Sequence, residues 1–189
     1  MVAIEEKIYT VEEYLELEKT SEIRHEYVYG KRIPMSGESK IANDIAVNCV
    51  TFMRQILNLS QFKVYTQAVK VQVDKKGLYR YPDVMVGLKS DNAHTHLVTQ
   101  PILLVEITSD NSVDRDRVTK LREYVRIPLL QHYLIIDQFE PLVESYRHEG
   151  DSWTFELFEN IDTEIEIKAF DLRLPLATIY EGIIFETKD

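Results

Sequence analysis

Residues 101–108 read PILLVEIT, a stretch in which Glu106 is the single charged residue. A strand that is apolar on both faces is normally central in its sheet and covered on both sides. The stretches YPDVMVG (residues 81–87) and HYLIID (residues 132–137) have the same character and predict two further buried strands. With helical patterns before and between them, these strands predict an α/β fold of the α+β type, a mixed, curved sheet flanked by helices.

Two helices are predicted ahead of these strands. Thr10 and Glu13 fit a capping box that begins the short helix VEEYLELEK. Residues 38–59 predict a long helix with one buried stripe, because apolar residues recur there at helical spacing. That stripe consists of Ile41, Ile45, Cys49, Phe52, Ile56 and Leu59.

The remaining pattern predicts one more strand, two hairpins and two more helices. Residues 63–73, KVYTQAVKVQV, alternate as a single strand that carries Gln67. Hairpins are predicted around Tyr29-Gly30 and around residues 149–151. A helix capped by Ser112 precedes Pro128, and a short helix closes the chain.

Composition limits the classes of protein to consider. The 189 residues carry a net charge of −10 at pH 7, and the sequence pI is about 5.0. This balance argues against a polybasic nucleic-acid binder and against a partner that is an anionic membrane surface. The charge is uneven, however: residues 31–130 are net +5, residues 1–30 are −5 and residues 131–189 are −10. An anionic substrate is therefore expected to contact the middle of the chain.

Length and cysteine content predict one cytoplasmic domain spanning residues 1–189. Cys49 is the single cysteine, so no intrachain disulfide forms and the cysteine-rich zinc motifs are excluded. The first residues lack the basic and apolar segments of a signal peptide. No apolar stretch approaches the ~18 residues that a membrane span needs.

Glu106 is the most informative residue, because its neighbours in the strand all favour burial. A buried carboxylate must be protonated, ion-paired or bound to a metal. If the strand holding Asp83 pairs antiparallel with that of Glu106, the two acids become neighbours at one end of the sheet. Two close carboxylates repel unless they share a proton or a cation, and their oxygens suit Mg²⁺ or Mn²⁺.

Lys120 is the third candidate. It lies with Leu121 and Tyr124 on one stripe of the predicted helix, from which a lysine can reach the end of the sheet. The competing interpretation is a buried Glu–Lys ion pair with a purely structural role. A weaker metal candidate is the His94-Thr95-His96 segment, which has no third ligand nearby.

These residues resemble the Uma-type restriction endonuclease family of the PD-(D/E)XK nuclease superfamily. The resemblance rests on Pro82-Asp83, on residues 105–109 (VEITS), and on Asp114 and Lys120 in the following helix. Further segments fit the same family over most of the chain: residues 26–30, 35–37 and 133–137, Gln67, Tyr124 and the closing LPLATIY.

The resemblance implies a restriction-endonuclease-like core in which Asp83 and Glu106 hold the metal. It implies that Lys120 replaces the usual lysine two positions beyond the glutamate, where this chain has Thr108. The family's histidine near the start of the long helix is also missing, since Ala42-Asn43 stand there. Glu26 and Gln67 match polar positions and are carried as supporting residues.

The expected function is hydrolysis of DNA phosphodiester bonds by a Mg²⁺- or Mn²⁺-dependent endonuclease, acting as a homodimer. Two alternatives remain open at this point. One is a non-catalytic dimeric interaction module that keeps the nuclease fold, and the other is a structure-selective repair nuclease or resolvase. No Walker loop, G-x-G-x-x-G or G-x-S-x-G is present, so nucleotide-binding and serine-hydrolase functions lack their motifs.

Overall fold

The computed structural model describes residues 7–91, 94–108 and 115–185. Within these ranges no helix has the length and apolar character needed to cross a bilayer. The helical elements are α1 (Val11–Thr20), α2 (Lys40–Ile56), a π-helical segment (Arg115–Lys120) that continues as α3 (Leu121–Tyr124), a 3₁₀ turn (Lys168–Phe170) and α4 (Leu176–Ile179). The strands are β1 (His25–Val28), β2 (Lys31–Pro34), β3 (Phe62–Thr66), β4 (Lys70–Asp74), β5 (Leu78–Arg80), β6 (Val84–Leu88), β7 (Leu97–Val98), β8 (Pro101–Thr108), β9 (His132–Asp137), β10 (Val143–Glu149), β11 (Ser152–Phe158), β12 (Glu164–Ile167) and β13 (Leu172–Pro175).

β8 is central in a six-stranded sheet of order β11-β10-β9-β8-β6-β3, as its sequence predicts. It pairs parallel with β9 and antiparallel with β6, and all of its residues except Ile102 are buried. The sheet is therefore mixed. The parallel pair β8–β9 is joined through the π-helical segment and α3, which together form the crossover connection that such a pair requires.

Both faces of the six-stranded sheet are covered. One face packs against α2, α4 and the β12–β13 hairpin. The other packs against α3 and against a five-stranded sheet of order β2-β1-β5-β4-β7. A cluster of Tyr14, Tyr27, Tyr79 and Leu97 attaches α1 to that second sheet. The predicted capping box of α1 is confirmed, since Thr10 and Glu13 bond reciprocally.

The buried stripe of α2 differs from the prediction. Ile45 and Cys49 are buried as expected, whereas Ile41, Ile56 and Leu59 are exposed and Phe52 is half-buried. The helix ends at Ile56, before Leu59, and its buried face runs through Ala42, Ile45, Ala46, Cys49 and Met53. Two alanines lie on this face beside Ile45 and Met53, so the spacing of the large apolar residues alone does not identify it.

The prediction of a single strand over residues 63–73 is wrong. The segment divides into β3, at the edge of the six-stranded sheet, and β4, in the five-stranded sheet. A turn closed by the hydrogen bond from the Val69 amide to the Thr66 carbonyl separates them. This turn carries the chain from one sheet to the other and leaves Gln67 at the junction. Alternation alone cannot reveal the break, because both halves alternate.

The helix predicted between β8 and β9 is described from residue 115 onward. It begins there as a π-helical segment and ends at Tyr124, four residues before Pro128. The predicted cap Ser112 and the family residue Asp114 lie outside the described residues. The π-helical segment ends at Lys120, which the sequence assigns to the candidate site.

Buried His132 should make the protein sensitive to acid. Burial, assisted by Arg147 and Lys168, lowers the pKa of His132 to about 4 from its usual 6.5. The unfolded chain therefore takes up this proton first, and stability is lost as the pH falls from about 6.5 towards 4. At pH 5 the loss from this group is about 2 kcal/mol relative to pH 7.

The matched variant is His132→Leu, which keeps the site apolar and does not titrate. Between pH 7 and pH 5, urea unfolding should show wild type losing about 2 kcal/mol more stability than this variant. The comparison cancels contributions from other groups, including Asp83, whose raised pKa acts in the opposite direction. Parallel stability curves for the two proteins would contradict the assignment.

Candidate active site

Asp83 lies where the chain passes from one sheet to the other. Residues 77–87 are buried without interruption, and they run from β5 through Tyr81-Pro82-Asp83 into β6. In the β6–β8 pair Val84 lies opposite Val105. One more step of this register brings Asp83 opposite Glu106, so the antiparallel pairing predicted from the sequence is confirmed. Both side chains are buried, with 5% and 3% of their surface exposed.

Two donors hold the Asp83 carboxylate. The Ile107 amide donates to Oδ2 at 2.6 Å, and the Gln67 side-chain amide donates to Oδ1 at 3.1 Å. Burial raises the pKa of Asp83 to about 6, and nearby Glu38 adds to the increase, whereas the two donors and Lys120 oppose it. The ionised form is thus costly here, and a cation beside it would lower that cost.

Glu106 is bound from the helical crossover. Lys120 Nζ donates to Oε2 at 2.6 Å, and the Tyr124 hydroxyl donates to Oε1 at 2.8 Å. Lys120 and Tyr124 are four residues apart, a spacing that puts both side chains on the same side of the helix. Tyr124 is fully buried, and burial together with the Glu106 charge raises the pKa of its hydroxyl well above the usual value. The phenol therefore remains a donor.

The two supporting residues occupy different environments. Gln67 contacts Asp83 directly. Glu26 is 3% exposed and instead accepts a 2.6 Å hydrogen bond from Arg80 Nη1, forming a buried ion pair. Arg80 also binds both oxygens of Glu123, at 2.8 and 2.9 Å. Glu26 is therefore linked to the site through Arg80 and Glu123, the residue before Tyr124 in the crossover helix.

Arg80 and Glu123 are residues that the sequence interpretation missed. The one available signal is a charged residue within the LYRYP segment, immediately before a buried strand. Tyr27 lies opposite Tyr79, so Glu26 faces Arg80 at the next position of the β1–β5 register. This cross-strand pairing links residues that are 54 positions apart in the chain.

The donor chemistry of Asp83 and Glu106 fits a hard divalent cation. Mg²⁺ in particular binds through one or two carboxylates and completes its shell with water and substrate phosphate. Among the described residues, no three His, Cys, Asp or Glu side chains converge as a metal site. His94 and His96 are exposed and line a cavity next to α1, away from the two carboxylates.

Comparison with known proteins identifies the family to which the chain belongs. The family model Uma2, described as a putative restriction endonuclease, matches residues 11–177. The chain belongs to the Uma2 family. The Uma2 match includes Asp83, Glu106 and Lys120, and also Glu26 and Gln67.

Relatives extend the match over nearly the whole chain. Two uncharacterized proteins of Synechocystis sp. are 32% and 30% identical to it, over 88% and 92% of this chain and 96% and 92% of their own lengths. A crystal structure of a putative nuclease belonging to DUF820, from Anabaena variabilis, superposes with a TM-score of 0.74. It is 19% identical and covers 90% of this chain and 97% of its own. The likeness confirms the predicted fold, a mixed sheet flanked by helices.

Proposed function

We propose that this Uma2 chain is a divalent-metal-dependent DNA endonuclease whose metal ligands are Asp83 and Glu106. The observation that carries the proposal is the pair of buried carboxylates at one end of the sheet, with a lysine 2.6 Å from one of them. A purely structural ion pair needs only Glu106 and Lys120. It gives no reason for a second buried acid whose pKa is raised to about 6.

Asp83 and Glu106 would hold a Mg²⁺ or Mn²⁺, which would supply an activated water and positive charge at the phosphodiester. Asp83 and Glu106 supply hard oxygen ligands, and Gln67 and the Ile107 amide fix the orientation of Asp83. Lys120 places a positive charge beside the reacting phosphate, where it stabilises the negative charge that develops in the transition state. Tyr124 keeps Glu106 in position by its hydrogen bond.

DNA is the proposed substrate, despite the acidic chain. Residues 31–130, which hold all three site residues, are net +5. Cleavage of both strands by one site per chain favours two copies related by a two-fold axis, so we propose a homodimer on DNA. The proposed setting is the reducing cytoplasm. Cys49, the single cysteine, is fully buried, and burial raises the pKa of its thiol to about 12.

Supercoiled plasmid tests the activity. With Mg²⁺ or Mn²⁺, wild type should convert it to nicked or linear DNA, and Asp83→Asn or Glu106→Gln should reduce the rate at least about a hundredfold. Asp44→Asn and Glu156→Gln are the matched controls, because both residues are exposed and outside the site. They should cleave at the wild-type rate.

The plasmid assay also separates the alternatives. Cleavage that persists in Asp83→Asn and Glu106→Gln would overturn the site assignment. No cleavage by wild type of plasmid, linear or branched DNA would favour the non-catalytic module. Cleavage confined to branched DNA would identify a resolvase or repair nuclease that uses the same site.

A further inference from the structure

A cavity lies between α1 and the five-stranded sheet. It has a volume of about 270 Å³ and opens between the end of α1, the turn before β4 and the segment that leads into β7. Its lining includes Leu15, Glu18, Arg24, Lys70, Tyr81 and Leu97.

Lys70 is the unusual member of this lining. It is 6% exposed, and among the described residues its ammonium group has neither a carboxylate nor a hydrogen-bond partner. Its Nζ lies over the ring of Tyr81, 5.5 Å from the ring centre. Burial lowers the pKa of Lys70, and the charge of Glu18 opposes that change only in part. A buried ammonium in a cavity is stabilised by an anion that enters it.

Glu18 is not that anion, because other groups already bind its carboxylate. Oε1 accepts from the His25 amide at 2.7 Å and from the Tyr81 hydroxyl at 3.2 Å. Oε2 is 3.4 Å from Arg32 Nη2 and 3.3 Å from His25 Nδ1. The one carboxylate on this wall near Lys70 is therefore neutralised by its own partners.

Arg24 adds a second cation and connects the cavity to the active site. Its Nη1 donates to the Gln67 carbonyl at 2.5 Å, which leaves other guanidinium donors for a ligand. The side chain of the same Gln67 binds Asp83. Gln67 would therefore link a group held by Arg24 to Asp83, the proposed metal ligand.

The cavity also has an apolar wall, formed by Leu15, Leu97 and the ring of Tyr81. Lys70 lies over the ring of Tyr81 and Arg24 lines the same cavity, so these two cations suit the phosphate of a ligand whose remaining atoms contact the apolar wall. The volume lies just below the range of pockets that hold drug-sized molecules, so it suits one nucleotide and not a duplex.

We propose that this cavity binds the phosphate group of a single nucleotide, with Lys70 and Arg24 as its ligands. The nucleotide can be free, or it can be the terminal residue of a DNA strand. The site is separate from the carboxylate pair, and its occupancy does not depend on catalysis.

Calorimetric titration in EDTA tests the proposal without any contribution from divalent metal. The probes are inorganic phosphate, 2′-deoxyadenosine 5′-monophosphate, 2′-deoxyadenosine, and single-stranded oligonucleotides with a 5′-phosphate or a 5′-hydroxyl. Wild type should bind the monophosphate at least about tenfold more tightly than the nucleoside. Lys70→Met should lose at least about tenfold in affinity for the monophosphate, whereas Lys75→Met, at an exposed turn position, should bind like wild type.

Lys70→Met removes a buried charge without a carboxylate partner, so it should fold at least as stably as wild type. A second variant, Arg24→Gln, should weaken binding in the same direction. Preference for the free monophosphate would identify a nucleotide ligand, and preference for the 5′-phosphorylated strand would identify a DNA end; either result supports the phosphate site. Equal binding of monophosphate and nucleoside, or unchanged binding by folded Lys70→Met, would overturn it.

Discussion

Replacing Lys120 with methionine should destabilise the protein by about 3–5 kcal/mol, because the substitution removes the lysine that is ion-paired with the buried Glu106 carboxylate. Glu106 is 3% exposed, and the Tyr124 hydroxyl that also binds it carries no charge. For a chain of this length the loss corresponds to a fall in melting temperature on the order of 10 °C. Thermal and urea unfolding measure it directly.

A double-mutant cycle distinguishes lost pairing from lost packing. Adding Glu106→Gln to Lys120→Met removes the buried carboxylate charge and should recover most of the stability. Lys63→Met, on an exposed position of β3, should leave the melting temperature nearly unchanged. If the losses of stability in Lys120→Met and Glu106→Gln simply add in the double variant, the buried ion pair does not contribute the stability proposed for it.

Mn²⁺ should stabilise the wild-type protein, and the two acids should account for the effect. A ligand that binds only the folded state at 100 times its Kd adds about 2.7 kcal/mol, or roughly 5–10 °C in melting temperature for this length. Asp83→Asn and Glu106→Gln each remove one of two carboxylate ligands, so both should abolish most of the shift. A thermal-shift titration with MnCl₂ measures the effect.

The exposed variants Asp44→Asn and Glu156→Gln are the controls for this titration, and they should shift like wild type. They report binding of Mn²⁺ to surface carboxylates. A shift of the same size in all five proteins would mean that the metal binds elsewhere, and it would remove the support for catalysis by this site.

Most strands of the six-stranded sheet could be predicted, because the sequence patterns that indicate them lie within each strand or turn. β8 is apolar at every position but two, and a strand of that kind has to be covered on both faces. The hairpin after β1 was readable from Tyr29-Gly30, and both residues have positive φ, 46° and 99°. The proximity of Asp83 and Glu106 could be predicted from a single antiparallel pairing of strands, which the structure confirms.

The division of residues 63–73 between two sheets could not be predicted, because the alternating pattern continues across the break. The turn at Thr66–Val69 contains no Gly or Pro to mark it. The surroundings of the site could not be predicted from the sequence for a different reason. The Glu26–Arg80 pair joins residues distant in the chain, and the unusual burial of Lys70 depends on packing between α1 and the five-stranded sheet.

A crystal structure of the protein soaked in MnCl₂, with anomalous data collected to locate manganese, tests the central claim most directly. We expect one anomalous peak at ~2.1–2.3 Å from an oxygen of Asp83 and an oxygen of Glu106, absent from crystals of Glu106→Gln. Lys120 should remain beside the ion. A manganese peak elsewhere, with no peak between the two carboxylates, would contradict the account.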